Sequence, residues 1–166
     1  MDSFDRDRDR DRDRAAEGRL VSGEGDPALD QRLSDELDVH DVAAAGAGQQ
    51  HELTVKVEDE RGALIGGLSG WTWGTSAGIS MLWVRADARH NGWGGRLLDA
   101  AEDVARERGC ERLNVSSFTF QAPEFYARHG YVEVGRTESL PLVGQADVHF
   151  VKHLPQVRTT APAPST

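Results

Sequence analysis

Residues 79–84 are apolar almost throughout, and five residues later the chain enters Arg89-His90-Asn91-Gly92-Trp93-Gly94-Gly95-Arg96-Leu97-Leu98. A short apolar run of this kind predicts a central strand buried on both faces. Residues 92–108 then place Leu97, Ala101, Val104 and Arg108 at i, i+4, i+7 and i+11, with Leu98 and Ala105 widening the stripe. That spacing predicts an amphipathic helix. With a further strand at 113–118, the three pieces make a helical crossover, which commits the chain to an α/β fold with a mixed sheet. The glycines let backbone N–H groups face outward with no Cβ in the way. The helix start leaves amides unpaired, and its dipole favours an anion. Arg89 and Arg96 add positive charge to a chain whose net charge is −9. A diphosphate is the natural guest of such a turn, and a ligand-free strand-to-helix turn is the alternative.

Neither common nucleotide motif fits. A Walker loop needs Lys-Ser/Thr after its last glycine, and a dinucleotide fingerprint needs a third glycine where this chain has Leu97.

The rest of the chain supplies the sheet. Residues 19–22 are read as a short first strand. Asp26-Pro27 opens a helix, with Asp as N-cap and Pro at the first position. Leu29, Leu33, Leu37 and His40 fall on one face of it. Residues 52–57 and 63–73 form a hairpin about Asp59-Glu60-Arg61-Gly62. Pro123 starts a short helix closed by Gly130, and residues 131–136 and 147–154 are two more strands. The expected order is β-α-β-β-β-α-β-α-β-β.

Composition narrows the class. With 166 residues, 38% hydrophobic and 28% charged, the chain has the balance of a soluble domain. No apolar run approaches the roughly 20 residues that cross a bilayer, so no membrane role is expected. No apolar h-region stands at the start, and cytoplasm is the expected compartment. Nucleic acid is not expected, because its binding wants a basic stripe. The single cysteine, Cys110, reads as a small buried hydrophobe. Residues 1–18, with five Asp-Arg repeats at 5–14, and residues 156–166 have the composition of solvated tails. The folded domain is expected over 19–155.

The motifs also resemble a family. Arg89-x-x-Gly92-x-Gly94, after a strand holding Leu82-Trp83-Val84, resembles the Q/R-x-x-G-x-G/A motif of the GNAT N-acetyltransferases. Phe118-Thr119-Phe120-Gln121-Ala122-Pro123-Glu124-Phe125-Tyr126, closing on His129-Gly130-Tyr131, is similar to that family's second cofactor element. The resemblance implies a twisted, mostly antiparallel sheet with splayed central strands and flanking helices. It implies acetyl-CoA as co-substrate and no metal. Pantetheine would lie along Leu82, Trp83 and Val84, and pyrophosphate on Arg89, His90, Asn91, Gly92, Trp93, Gly94, Gly95 and Arg96. Thr119 stands where relatives often carry Asn and would donate one hydrogen bond to the cofactor. Tyr126 would be the acid that reprotonates the leaving thiolate. Homodimers are common among relatives. Ser80 stands where many relatives place a Glu near the amine, so the general base is open.

Glu52, Glu138, His40, His51 and a water relay through Ser80 are the candidates for that base, while His149 reads as structural. Trp71 and Trp73 share one face of their strand, either framing a cation or simply packing. The acceptor is expected to be a small-molecule amine. A protein lysine or N-terminus, and a non-catalytic acyl-CoA-binding module, are the alternatives.

Overall fold

The computed structural model describes residues 19–46 and 48–155. Both tail readings, 1–18 and 156–166, lie outside them. The chain divides into two compact units, Met1–Val39 and His40–Thr166.

Helix α1, Pro27–Ala45, begins where the Asp-Pro pair predicts. Asp26 Oδ1 accepts from the N–H groups of Ala28 and Leu29, both at 3.1 Å, which is the capping bond that an Asp at this position makes. Its leucine stripe is exposed, with Leu29, Leu33 and Leu37 at 50%, 51% and 58%. The strand expected at 19–22 is absent, because these residues form no ladder with any other strand. Four residues with one apolar pair are too little to specify pairing on their own.

The second unit holds a six-stranded sheet. Its strands are β1 (His51–Glu58), β2 (Leu64–Trp73), β3 (Ser76–Val84), β4 (Arg112–Phe118), β5 (Val132–Glu138) and β6 (Ala146–His153), in the spatial order β1-β2-β3-β4-β6-β5. Only β3 and β4 run parallel, joined by α2, Trp93–Glu107. This is the crossover that the apolar run, glycine turn and periodic helix predict. The short helix α3, Pro123–Arg128, follows β4.

The amphipathic stripe of α2 buries Leu97, Leu98, Ala101 and Ala105 against Leu53, Leu68, Ala77 and Leu113 of the sheet. Each buried leucine contributes about 1.5–3 kcal/mol. Arg108, at the end of the stripe, donates to the Glu52 carbonyl at 2.8 Å and to Thr72 Oγ1 at 3.1 Å, tying the helix end to β1 and β2. Gly109 is left-handed at φ 80. The Cys110 N–H then reaches Ala105 O and the Gly109 N–H reaches Arg106 O, which completes a Schellman stop. Gly130 ends α3 in the same way, with the Tyr131 N–H on Tyr126 O. Cys110 is fully buried, and burial pushes its thiol up, away from nucleophilic use.

Candidate active site

The centre of the sheet is open by construction. The β3–β4 ladder covers only Ser76–Arg112 to Ile79–Val115. On the other side of β3, the register with β2 jumps between Ser69–Met81 and Gly70–Ile79, so Ser80 is the extra residue of a bulge. A bulge bends its strand and increases its twist. It falls one residue past the last β3–β4 pair, where the two parallel strands part. From Ser80 to Val84 the β4-facing edge of β3 has no strand partner among the described residues. Such an edge presents N–H and C=O groups to any extended ligand. Leu82 and Val84 lean on the core, while Trp83 is 47% exposed.

At the end of β3 the chain passes a 3-10 turn, Ala86–Ala88, and reaches the glycine turn. Arg85 binds Asp87 at 2.7 Å, a bond that raises the guanidinium's pKa and lowers that of the carboxyl. Arg89 donates from Nε to the Val84 carbonyl at 3.1 Å and so closes the turn onto β3. His90 is left-handed at φ 68, a conformation that glycine adopts most readily. Gly92 is left-handed at φ 79, has open space around it, and caps α2 without a side chain. The first-turn amides of α2 are therefore left for a ligand. Arg96 lies over the Trp93 ring at 4.8 Å, and Asn91 is exposed beside them.

Gly94 and Gly95 also have a packing role that their motif does not show. A Cβ at Gly94 would lie 3.0 Å from Phe125 Cζ, and one at Gly95 would lie 2.7 Å from His129 Nε2. Both therefore admit α3 to close packing on the turn. Between them stands Tyr126, buried, edge-on to Phe125 and to Tyr131. Its hydroxyl has no hydrogen-bond partner among the described residues, and burial raises its pKa. Thr119 is already engaged: its hydroxyl donates to Gln145 Oε1 at 2.7 Å and accepts from the Ala146 N–H at 3.1 Å.

Two groups escaped the sequence reading. Glu102 is 2% exposed on α2 and accepts from Lys152 at 2.7 Å, Arg106 at 2.9 Å and the Tyr131 hydroxyl at 3.2 Å. Burial first, then the Glu102 charge, raise the Tyr131 hydroxyl's pKa. The available signal was a carboxylate four residues after Leu98 on an apolar face.

The other is a cavity of about 260 Å³ on the sheet face opposite α2, at the point where β3 and β4 part. Trp71, Gly78, Asn114, Ser116, Val134 and His149 are among the residues that line it. The Trp71 indole lies directly on Gly78, where a Cβ would meet it at 2.5 Å. Trp73 instead donates to the Gly48 carbonyl at 2.9 Å. None of Glu52, Glu138, His40 and His51 lines the cavity, and Ser80 is exposed on the bulge. Among the described residues no helix is long and apolar enough to cross a membrane.

A model of the acetyltransferase (GNAT) family matches residues 21–131. The chain is 49% identical over 76 residues to the blasticidin-S acetyltransferase of Streptomyces morookaense, a match covering 43% of this chain and 54% of that protein, so it spans about half the relative's length. A crystal structure of an acetyltransferase from Bacillus cereus superposes with a TM-score of 0.69 at 31% identity, covering 82% of this chain and 98% of the other. The fold is also that of an aminoglycoside 6'-N-acetyltransferase solved with coenzyme A, at a TM-score of 0.59, 20% identity, and coverage of 83% and 97%.

Proposed function

The chain belongs to the acetyltransferase (GNAT) family, and from that premise we propose that it transfers an acetyl group from acetyl-CoA to the amine of a small molecule. The observation that carries this reading is the unpartnered β3 edge leading from the uncapped glycine turn to the cavity. The residues fit the co-substrate. The α2 amides with Arg89 and Arg96 suit a pyrophosphate, and the free edge from Val84 to Ser80 suits the amides of an extended arm. That edge spans about 13 Å at strand rise, and it ends beside the cavity. When bound, acetyl-CoA supplies an activated acyl group.

Residues of this chain would supply the rest. Tyr126, with its hydroxyl unclaimed, holds a proton for the leaving thiolate. The phenol starts above its ordinary value because it is buried; a thiolate held in the same dry gap has its own basicity raised by the same desolvation. Tyr126→Phe is expected to lower kcat about 10- to 100-fold while leaving the KM for acetyl-CoA and the melting temperature nearly unchanged. An unchanged kcat would remove Tyr126 from the reaction.

The relatives' names suggest where to look for the acceptor, and blasticidin S and an aminoglycoside belong first in an amine panel read by thiol release. Thermal unfolding tests the co-substrate site. Acetyl-CoA at about 100 times its Kd adds about 2.7 kcal/mol of stability through binding to the folded state alone. Gly92→Trp, which keeps the core but loads the turn, is expected to lose that shift. No shift in the unaltered protein would defeat the reading.

A further inference from the structure

The cavity beside the parting strands brings together groups that are far apart in the chain, and one of them is a histidine. His149 sits on β6, where its Cα partners are Ser116 of β4 and Gly135 of β5. Its Nε2 lies 3.1 Å from Thr137 Oγ1, and its Nδ1 lies 4.0 Å from Asp147 Oδ2. Asp147 is two residues earlier on the same strand face, and its other oxygen, Oδ1, is buried with no hydrogen-bond partner. A carboxylate with an unused buried oxygen therefore stands beside the imidazole and can orient its ring. The side chain of His149 is 43% exposed, so the ring can meet a ligand.

From these positions we propose that His149 is the general base for the acceptor amine, with Asp147 as its positioning residue. The inference rests on the acetyl-transfer reading above. With the Nδ1 proton facing Asp147, the basic lone pair is on Nε2, beside the Thr137 hydroxyl. The ammonium of the acceptor loses one proton to Nε2, directly or across that hydroxyl. Its nitrogen then forms the bond to the acyl carbon as the carbon–sulfur bond breaks. The thiolate takes the Tyr126 proton, the second proton on nitrogen restores the phenol, and His149 returns its proton to water.

An alkylamine is almost wholly protonated at neutral pH, and freeing it costs about 4–5 kcal/mol, which is why a base matters here. Trp71 also lines the cavity and brings an aromatic ring to it. The charged groups around the ring are few. Asp147, at 4.0 Å, is the one paired with it. Glu133 and Arg136 on β5 pair with each other at 2.8 Å and stand across from Phe150 and Val148, on the other sheet face. Glu52 on β1 stands across from Trp71 but does not line the cavity.

The test uses His149→Gln and two amines small enough for the cavity, propylamine and methoxyamine. The latter is already neutral at about pH 7. The melting shift with acetyl-CoA comes first: its absence in the unaltered protein would sink the acetyl-transfer reading itself, whereas equal shifts in both proteins isolate the base. At about pH 7 the variant is expected to lose about 100-fold in kcat/KM on propylamine but only about 3-fold on methoxyamine. The propylamine deficit should shrink as pH rises toward the amine's own value, about 10.4. Asp147→Asn should give the same pattern with about 10-fold loss. Independently of turnover, the His149 ring signal in an NMR spectrum should shift when propylamine is added without acetyl-CoA. Equal losses on both amines, no loss on either, a ring signal indifferent to propylamine, or an acetyl-CoA-binding protein that acetylates neither amine would each overturn the proposal.

Discussion

Glu102→Ala is expected to destabilise the protein by about 3 kcal/mol, measured as a lower midpoint in denaturant at unchanged slope. The carboxylate is all but sealed, and three donors converge on it. Removing it leaves the Lys152 ammonium and the Tyr131 hydroxyl in an apolar setting with nothing to accept their protons. The cost sits at the lower end of the buried-pair range because the side chains of Lys152 and Arg106 are 23% and 28% exposed and can turn partly toward water. Glu102→Gln keeps the shape and one acceptor, so it should cost less than Ala. Because Tyr131 stacks edge-on against Tyr126, the loss should also loosen the helix that carries the proposed acid. A change below about 1 kcal/mol for Ala would mean that the cluster is no more than a surface ion pair.

Gly70→Ala is expected to be at least as damaging, at about 3 kcal/mol or more, with loss of soluble protein at the extreme. Its Cβ would overlap the carbonyl oxygen of Gly78 and stand 3.0 Å from the Gly78 carbon and 3.1 Å from Ile79 Cα. All three are backbone atoms, so no rotamer relieves the contact. The ladder itself would have to open at the bulge, beside the cavity and the parting strands. Gly67→Ala, three residues earlier on the same strand, is the control. Its Cβ would meet nothing nearer than the Val55 carbonyl oxygen at 3.5 Å, and the change should cost within about 1 kcal/mol. If both variants unfold at the same denaturant concentration, the bulge is more tolerant than its geometry implies.

The glycine turn was legible because three local signals agree there: an apolar run, residues that tolerate positive φ, and a 3.6-residue stripe. Gly92 and His90 take left-handed conformations within that stretch. The caps were legible for the same reason, since Asp26, Gly109 and Gly130 act on neighbours within a few residues. The strand read at 19–22 failed because strand pairing is not local, and nothing in four residues names a partner.

His149 shows the limit from the other side. Read alone, a histidine on an alternating strand looks structural. What makes it a candidate base is the Asp147 carboxylate two residues earlier together with the Thr137 hydroxyl and the cavity shared with Trp71 and Ser116, which strand order rather than spacing brings there. Gly94 and Gly95 are similar: their motif suggests ligand contact, and only the fold shows that Phe125 and His129 pack where a Cβ would stand.

The chain by itself therefore determined its helices' starts and stops, its crossover and its glycine turn, because these depend on propensity, periodicity and backbone freedom over a few residues. Tertiary structure alone decided that β3 and β4 part after Ile79–Val115, that a bulge at Ser80 opens them, and that His149 shares a cavity with Trp71 and Ser116. Those features depend on register between strands distant in sequence, which no local pattern encodes.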